Sequence, residues 1–460
     1  MAKTAVVFLT LVVVLTVLGE GVPLAASSAA SNQNIIVNAD PPHYYFAKSL
    51  SGSQLNDVCQ VALSPTSVVN LHCYTPEMLQ KAYNFVGAYR LVGGLRNAGK
   101  GETIVIIDAF GSPTIASDLE VFDEVFGLPS ATLNVVCPFK CPVFNTSSSN
   151  DIGWSFETTL DVEYAHAMAP AAIIDLVVAP TNSFSDLYRS EIYALHNNLG
   201  EVWSQSWGVP ECLIGPTTTA HFSQAEHTYA EAVAKNVTLV ASAGDAGAQE
   251  GCPAPSAVFP SSSPFSLSVG GTHLNLGPNG NYLSETVWND EEDQYLLDQG
   301  VSFKEATGGA PSRLFAAPSY QQGITLTPYN CENSSTCVVG PVFSPTTRVT
   351  VDVSYNADLD GAVLGYWSVI PSQAGFYLFG GTSSGAPQWA AIIAIADQFH
   401  HTSLGWVNAR LYQLGGSNAF HDVTVGSNTL APGQGFLATT GYDAPTGLGS
   451  PNVGVLVQDL

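Results

Sequence analysis

The stretch TIVIIDAF, residues 103–110, decides the fold class, because it is a continuous apolar run interrupted by a single acid, Asp108. Such a run is typical of a strand that is buried on both faces within a parallel sheet. The same form recurs in IIDLVVA (173–179), VTLVASAG (237–244) and FSLSVGG (265–271). The sequence therefore predicts several parallel strands in one buried sheet.

Helical patterns separate these strands. Residues 183–198 and 221–235 have helical character, and YTPEMLQKAYNF (74–85) is predicted to be helical, with Thr75 as its N-cap and Pro76 at the first helical position. This alternation predicts an α/β fold with a mostly parallel sheet flanked by helices. Turn residues are scattered along the chain instead of forming one linker, which favours a single large domain.

The first 29 residues have the pattern of a secretory signal. A 14-residue apolar run from Ala5 to Leu18 is shorter than the roughly 20 residues of a membrane-spanning helix. Small residues follow it and suit cleavage around Ala26 to Ala30. We expect a secreted, extracellular protein with no membrane attachment after cleavage, the alternative being an uncleaved anchor.

The cysteines agree with export. There are eight, and they fall into neighbouring pairs: Cys59 and Cys73, Cys137 and Cys141, Cys212 and Cys252, Cys331 and Cys337. Neighbour pairing would give four disulfides, although spacing alone does not fix the connectivity, and a zinc site is disfavoured because the clusters lack paired CxxC motifs or a nearby His doublet. Asn145, Asn236 and Asn333 lie in glycosylation sequons, which matter only in a host that glycosylates exported proteins.

The charge balance points to an acidic working environment. Charged residues make up 11% of the chain, against about 25% in ordinary soluble proteins. There are 13 Lys and Arg against 38 Asp and Glu, a net charge of -25 at pH 7. Below about pH 4 most carboxylates are protonated, and the few bases leave little positive charge to repel itself. The alternative is a merely acidic extracellular protein. A balance this acidic excludes nucleic acid as an expected partner.

Two acids stand out in SFETTLDVEYAHAMAP, residues 155–170. On a helix, Glu157 and Asp161 share one face, where two ionised carboxylates repel each other. No Lys or Arg occurs in residues 151–170, and the segment is rich in apolar residues, which favours partial burial over a solvated acidic face. Partly buried paired carboxylates share a proton and split their titrations, as an acid/base pair requires.

Two further motifs carry chemistry. Asp245 in VTLVASAGDAG follows a buried strand at a Gly-flanked turn, on the edge where α/β sheets hold their sites; the alternative is an ordinary turn residue. Ser383 in GGTSSGAPQWAA (380–391) opens an apolar helical run with Pro387 early in it, close to main-chain N–H groups. Such a hydroxyl could act as a nucleophile if a base accepted its proton.

Together these motifs resemble the sedolisin family of serine-carboxyl peptidases, which have a subtilisin-like fold. The resemblance covers about four fifths of the chain in consistent order, through YTPEMLQKAYN (74–84), SQSWGVPE (204–211), FPSSSPFSLSVGGT (259–272), ETVWND (285–290), RVTVDVSYNAD (348–358) and GYDAPTGLGSPN (441–452). A true subtilisin is disfavoured, since no HGTH-type motif supplies a histidine.

The resemblance implies a role for each candidate. Ser383 is then the nucleophile, Glu157 the general base, Asp161 its supporting partner and Asp245 the donor to the oxyanion. Two more matches complete the implied site, namely an acid that extends the carboxylate network and a wall of the substrate cleft: Asp108 and Trp207. The implied activity is that of a secreted, acid-acting endopeptidase on polypeptide substrates, and we expect a monomer. The alternatives are a tripeptidyl exopeptidase on the same scaffold and a catalytically dead binding protein.

The C-terminal segment resembles the calcium loop of the same family. The resemblance implies carboxylate ligands from Asp422 and Asp443 and main-chain carbonyl ligands from Val423, Thr439 and Gly441. Hard oxygen ligands of this kind suit Ca²⁺.

The domain organisation departs from the family at one point. Residues 1–29 are the expected signal, 30–72 a short propeptide or N-terminal extension, and 73–460 the peptidase domain including the calcium loop. Sedolisins usually carry a large prodomain, so activation by removal of a folded prodomain is in doubt for this sequence.

Overall fold

The computed structural model describes residues 44–46, 58–64, 67–215, 219–301 and 303–460. The predicted signal, residues 1–29, lies outside these described residues. Within them, no helix is long and apolar enough to cross a membrane.

The strands of the described chain run in the following order: β1 (Tyr44–Phe46), β2 (Val58–Ser64), β3 (Ser67–Tyr74), β4 (Thr103–Ala109), β5 (Thr132–Val136), β6 (Ile173–Ala179), β7 (Val202–Gln205), β8 (Val209–Pro210), β9 (Thr238–Ser242), β10 (Val258–Phe259), β11 (Ser266–Leu276), β12 (Tyr282–Val287), β13 (Pro311–Ala316), β14 (Pro328–Asn333), β15 (Thr336–Val339), β16 (Thr347–Val349), β17 (Val353–Asn356), β18 (Ala362–Trp367), β19 (Gly375–Phe379), β20 (Phe420–His421), β21 (Gly433–Phe436) and β22 (Ser450–Pro451).

The helices lie between them: α1 (Pro76–Ala82), α2 (Phe85–Leu91), α3 (Ile115–Phe126), α4 (Ser149–Met168), α5 (Phe184–Asn197), α6 (Thr219–Ala234), α7 (Gln294–Asp298), α8 (Gly385–His400), α9 (Asn408–Leu414) and α10 (Val453–Asp459).

The largest sheet has the strand order β12-β11-β9-β7-β4-β6-β5, and β17 also pairs with β11. The pairings of β4, β5, β6, β7, β9 and β17 are parallel, and β12 is antiparallel to β11. This arrangement confirms the α/β class and the four strands predicted from the apolar runs.

Helices cover both faces of this sheet, and the alternation along β4 shows how. Ile104 and Ile106 belong to the hydrophobic cluster built with α4 and α8, whereas Val105 and Ile107 belong to the cluster built with α5 and α6. Successive side chains of a strand point to opposite faces, so a strand covered on both sides must be apolar throughout. This is why the run in 103–110 has no polar alternation.

A second sheet joins the N-terminal part of the described chain to the body. Its order is β1-β19-β18-β3-β2, in which β3 pairs parallel with β18. The Cys59–Cys73 disulfide links β2 to β3. The described part of the predicted extension, residues 30–72, therefore contributes strands to a sheet that it shares with the body.

The predicted first helix is confirmed in part. Thr75 caps α1, accepting a hydrogen bond from the Met78 N–H, and Pro76 is its first residue. The helix ends early, because Asn84 takes the left-handed conformation with φ 59° and then caps α2 through the Gly87 N–H. An amide side chain at a helix start satisfies a free N–H, so a second helix begins where the sequence predicted the first to continue.

All four disulfides join neighbouring cysteines: Cys59–Cys73, Cys137–Cys141, Cys212–Cys252 and Cys331–Cys337. The neighbour pairing considered from the sequence is confirmed.

Candidate active site

Helix α4 supplies two acids. Ser148 caps its first turn by accepting a hydrogen bond from the Asp151 N–H. The helix is buried on nearly all sides, as a helix enclosed by a large core must be. Glu157 and Asp161 lie on one face, and both are fully buried. Their burial is more complete than the sequence indicated, and it removes the interpretation of a solvated acidic face.

Strand β4 supplies a third acid. Side chains two residues apart on a strand point to the same face, so Asp108 lies with Ile104 and Ile106 on the sheet face covered by α4. It is fully buried, and its charge affects both Glu157 and Asp161. We call Asp108, Glu157 and Asp161 the carboxyl cluster.

The carboxyl cluster favours protonated forms. Burial raises the pKa of Glu157 well above its usual value, and the charges of Asp161, Asp108 and Asp245 raise it further. Burial also raises the pKa of Asp161, with a smaller contribution from Asp108. Burial raises the pKa of Asp108 to about 7. Because desolvation and like charges act together, the cluster holds protons well above the pH at which exposed acids lose them.

Few hydrogen bonds restrain these acids. Asp161 Oδ1 accepts a 2.8 Å hydrogen bond from Ser206 Oγ. Within the described residues, the other Asp161 oxygen and both oxygens of Glu157 and Asp108 have no hydrogen-bond partner in good geometry. The Ser383 hydroxyl is nevertheless near enough to lower the pKa of Glu157. Buried acids left without partners are expensive, and they are concentrated at sites that transfer protons.

Ser383 lies in a single 3₁₀ turn, Thr382–Ser384, that leads directly into α8. Its side chain is 5% exposed. The turn is entered through Gly381, whose φ is 94°, and a Cβ there would lie 2.5 Å from Asp245 Oδ2. The position needs glycine because of both the backbone conformation and the close carboxyl.

Asp245, at the turn after β9, is tied to the same segment. Its Oδ1 accepts hydrogen bonds from the Thr382 N–H at 2.8 Å and from Thr382 Oγ1 at 2.7 Å. The carboxyl of Asp245 is thereby fixed beside the Ser383 turn, with Oδ2 towards Gly381. Thr382 was not predicted from the sequence as a site residue, although it is the middle residue of the GTS motif (381–383).

Glu250 is a further acid that the sequence analysis missed. Its Oε1 accepts a 3.2 Å hydrogen bond from the Ala246 N–H. Burial raises the pKa of Glu250, and the charge of Asp245 raises it further. A Cβ on Gly244 would lie 2.4 Å from Glu250 Oε1, so this carboxyl packs against the turn that carries Asp245.

Ser206 and Trp207 connect β7 to the carboxyl cluster. Ser206 was also missed, although it immediately precedes Trp207 in SQSWG. Trp207 is 2% exposed, and its Nε1 donates a 2.9 Å hydrogen bond to the main-chain oxygen of Ile107, next to Asp108. This contact fixes the indole beside the strand end; its role as a wall of the substrate cleft stays a prediction.

Hydrogen bonds link the two predicted carboxylate ligands of the calcium loop to two of the residues predicted to supply carbonyls. Asp422 Oδ2 accepts a hydrogen bond from the Gly441 N–H, and Asp443 Oδ2 accepts one from the Thr439 N–H, both at 2.9 Å. Asp443 is 1% exposed, and Val423 is buried next to the exposed Asp422. Burial raises the pKa of Asp443 to about 8, and the nearby charge of Asp422 contributes to the rise. Two close carboxylates, one of them buried, in a turn-rich loop are a donor set that fits a hard cation.

Comparison with known proteins agrees with this geometry. Residues 154–436 match the subtilase family, Peptidase_S8. Kumamolisin of Bacillus sp. (strain MN-32) is 33% identical over 398 residues, which cover 84% of this chain and 63% of kumamolisin. Tripeptidyl-peptidase 1 of Homo sapiens is 26% identical over 416 residues, covering 86% of this chain and 66% of that protein. The chain thus spans just under two-thirds of the length of each of these relatives.

A solved structure is similar over nearly the whole of its own length. Pseudomonas sedolisin, a serine-carboxyl proteinase complexed with two molecules of pseudo-iodotyrostatin, gives a TM-score of 0.66 at 25% identity, covering 84% of this chain and 98% of sedolisin. The chain belongs to the subtilase family and, within it, to the sedolisins, the serine-carboxyl peptidases. The subtilisin-like fold expected from the sequence is confirmed.

Proposed function

We propose that this protein is a secreted, acid-acting endopeptidase that hydrolyses peptide bonds through an acyl-enzyme. One observation carries the proposal. Burial raises the pKa of Glu157 most, and the side chains that act on the pKa after it are the acids Asp161, Asp108 and Asp245 and the hydroxyl of Ser383, none of which is a histidine. A serine whose neighbouring base is a carboxylate has to work in acid, where part of such a cluster is still protonated.

The proposed chemistry uses two groups, the Ser383 hydroxyl and the Glu157 carboxylate. Ser383 Oγ attacks the carbonyl carbon of the scissile bond while Glu157 accepts the hydroxyl proton, and the carbonyl electron pair moves onto oxygen. Glu157 then delivers that proton to the amide nitrogen as the C–N bond breaks and the amine leaves. Water attacks the resulting ester in the same way, giving its proton to Glu157, and Ser383 recovers a proton as it departs.

The remaining acids serve this exchange. Asp245, protonated, donates a hydrogen bond to the oxyanion that forms at each attack, which an ionised carboxylate could not do. Asp161 and Asp108 share the negative charge and the protons of the cluster with Glu157. Thr382 holds the Asp245 carboxyl in place through two hydrogen bonds. Within the described residues, the oxygens of Asp108 and Glu157 have no hydrogen-bond partner in good geometry, which supports a mobile proton instead of a fixed structural hydrogen bond.

Two other functions remain as alternatives. The similarity to tripeptidyl-peptidase 1 favours a tripeptidyl exopeptidase as the second candidate, since it would use the same catalytic groups. A catalytically dead binding protein would be expected to have lost at least one of them, and this sequence retains Ser383, Glu157, Asp161 and Asp245.

Digestion of a denatured protein at pH 3 to 4, with the product masses measured, separates these candidates. Internal fragments of many lengths support the endopeptidase. Tripeptides alone support the exopeptidase, and an intact substrate at every acid pH supports the binding protein.

The cellular setting is part of the proposal. Four disulfides, and the exposure of all three sequon asparagines, support an extracellular location. We expect polypeptide substrates and a monomer. The pairing of β1 (Tyr44–Phe46) with β19 supports an extension that stays with residues 73–460 as part of the working enzyme.

Calcium belongs to the same proposal. Asp422 and Asp443 would supply carboxylate oxygens, and Val423, Thr439 and Gly441 main-chain carbonyls. The ion would fix the loop between β20 and β22 without taking part in the reaction.

A further inference from the structure

A second group of potential metal ligands lies outside the carboxyl cluster and the calcium loop. His273 lies on β11, Asp293 precedes α7, and Asp358 lies in the turn between β17 and β18. His273 Nδ1 is 3.1 Å from Asp358 Oδ2 and 3.6 Å from Asp293 Oδ2. One ligand atom from each residue lies within 4.8 Å of the other two.

In each aspartate, Oδ1 accepts a main-chain hydrogen bond that fixes the orientation of the side chain, and Oδ2 faces His273. Asp358 Oδ1 accepts a 2.8 Å hydrogen bond from the Asp360 N–H, and Asp293 Oδ1 accepts one of 2.7 Å from the Tyr295 N–H. Among the described residues, neither Oδ2 has a hydrogen-bond donor in good geometry. The side chain of Asp358 is 1% exposed and that of Asp293 8% exposed. Two buried oxygens are therefore held towards one imidazole nitrogen.

A protonated His273 explains the approach of one aspartate oxygen to Nδ1, but not the approach of two. An Nδ1–H points at one acceptor, whereas two oxygens from different segments approach the same nitrogen. The two distances from His273 Nδ1, 3.1 and 3.6 Å, instead lie on either side of the separation of about 3.4 Å between ligands around a tetrahedral ion with bonds of about 2.0 to 2.1 Å. Both aspartates place negative charge against the imidazole, and the same charge attracts a divalent cation.

The site has room for a fourth ligand. A cavity of about 230 Å³ opens beside the three residues and is lined also by Asn275, Asn289 and Glu292. A water in this cavity would complete four-coordination.

We propose that His273, Asp293 and Asp358 bind a divalent transition metal of the zinc class. The imidazole ligand separates this site from the calcium loop, because imidazole nitrogen suits zinc and its neighbours in the first transition row, whereas calcium prefers oxygen. The metal would tie α7 to the main sheet. It would also fix the turn whose Asp360 holds His72 of β3 through hydrogen bonds of 2.8 to 3.0 Å.

Metal titration of the full chain tests the site. The protein is freed of metal by a chelator, Ca²⁺ is added in excess to fill the calcium loop, and Co²⁺ and then Zn²⁺ are titrated at pH 7. We expect one equivalent of each to bind with a Kd on the order of micromolar or tighter, and Co²⁺ to give the intense visible absorption of a four-coordinate site. Failure of both ions to bind stoichiometrically would overturn the proposal and would leave His273 as an imidazolium in an ion pair.

Two variants locate the bound ion. His273→Gln and Asp293→Asn should each weaken binding by at least about 100-fold. Asp293→Asn keeps the cap of α7, since Asn caps helices as well as Asp does, so it distinguishes loss of a ligand from loss of structure. His72→Gln is the matched control, because His72 also contacts an aspartate but lies outside the three ligands; its Zn²⁺ affinity should be unchanged. Equal binding by wild type and both ligand variants would contradict the assignment.

Discussion

Asp352 and the carboxyl cluster are both fully buried, but they differ in how many hydrogen bonds their carboxyl groups accept. Asp352 pairs with the buried Arg348, whose Nη1 and Nη2 donate at 2.7 and 2.5 Å. Tyr412 Oη, the Ser268 N–H and Asn408 Nδ2 also donate to it, at 2.8, 2.9 and 3.2 Å. Within the described residues, the carboxyl cluster has one hydrogen bond in good geometry, from Ser206 to Asp161, although the hydroxyls of Ser383 and Thr158 are near enough to lower the pKa of Glu157 and of Asp108.

The difference separates a structural acid from a reactive one. An acid that has a cation and a donor for every lone pair is committed to one protonation state and one position. An acid that is buried with other acids keeps its proton loosely shared with its neighbours, which costs stability and leaves the proton available. The account therefore predicts opposite effects when each group is altered.

The largest effect should come from Ser383→Ala. Removing the nucleophile should lower kcat by a factor on the order of 10⁴ or more while the fold persists, because the residue contributes one small hydroxyl to the core. The measurement is peptide hydrolysis in acid together with the melting temperature. Activity close to wild type would exclude a serine mechanism, and the neighbouring Ser384→Ala is the matched control.

Glu157→Gln should lower kcat by about 10²- to 10⁴-fold, since an amide cannot accept the proton. The same substitution should raise the stability of the folded protein at pH 7. The raised pKa of Glu157 means that its stabilising contribution is present below its ordinary pKa of about 4.3 and is lost as the pH rises through the raised value. Gln does not ionise, so the variant should melt higher than wild type at pH 7. A lower melting temperature at pH 7 would count against the shared-proton description.

Arg348→Met should have the reverse effects of Glu157→Gln, namely lower stability and an unchanged kcat. It leaves Asp352 buried without its cation, which should cost about 3 to 5 kcal/mol of unfolding free energy. Denaturant unfolding at pH 5 measures the loss, and the fraction that stays folded should keep the kcat of wild type. The double variant Arg348→Met with Asp352→Leu should recover part of the stability. A large loss of kcat in well-folded protein would make this pair part of the catalytic machinery.

Removing calcium should have the smallest effect. An ion bound by the folded state alone stabilises it by about 2.7 kcal/mol at one hundred times its Kd. Melting at pH 6 with and without a calcium chelator measures this, and Asp443→Asn should abolish the difference. Identical melting temperatures in wild type would remove Asp422 and Asp443 as ligands.

Much of the fold could be predicted from the sequence, because the strand patterns are strong. The apolar run in 103–110 indicated a buried parallel strand, and the spacing of Glu157 and Asp161 indicated a shared helix face. The split between α1 and α2 was missed, since a left-handed Asn84 leaves no signal in the pattern of apolar residues.

The candidate site was predicted less completely, for a physical reason. Ser206 and Thr382 act through contacts between segments that are distant in the sequence, and short polar residues of this kind have no periodicity. Glu250 contacts the nearby turn at Gly244 and Ala246, but a single acid in a loop forms no pattern that predicts such a contact. The Arg348–Asp352 pair was missed because a spacing of four in a β-rich segment does not indicate contact.

The most direct test of the central claim is the pH dependence of kcat/KM in wild type and in Asp245→Asn. Glu157 has to be ionised, and because the carboxyl cluster shares its protons, activity falls below the pH at which the cluster loses its first proton and not below a pKa of Glu157 alone. Asp245 has to be protonated, so activity falls again as it ionises. We expect a bell with its maximum within about pH 3 to 5. Asn donates at every pH, so in the variant the upper limb should move to higher pH. A wild-type maximum at about pH 7 or above, or an upper limb that does not move in Asp245→Asn, would contradict the account.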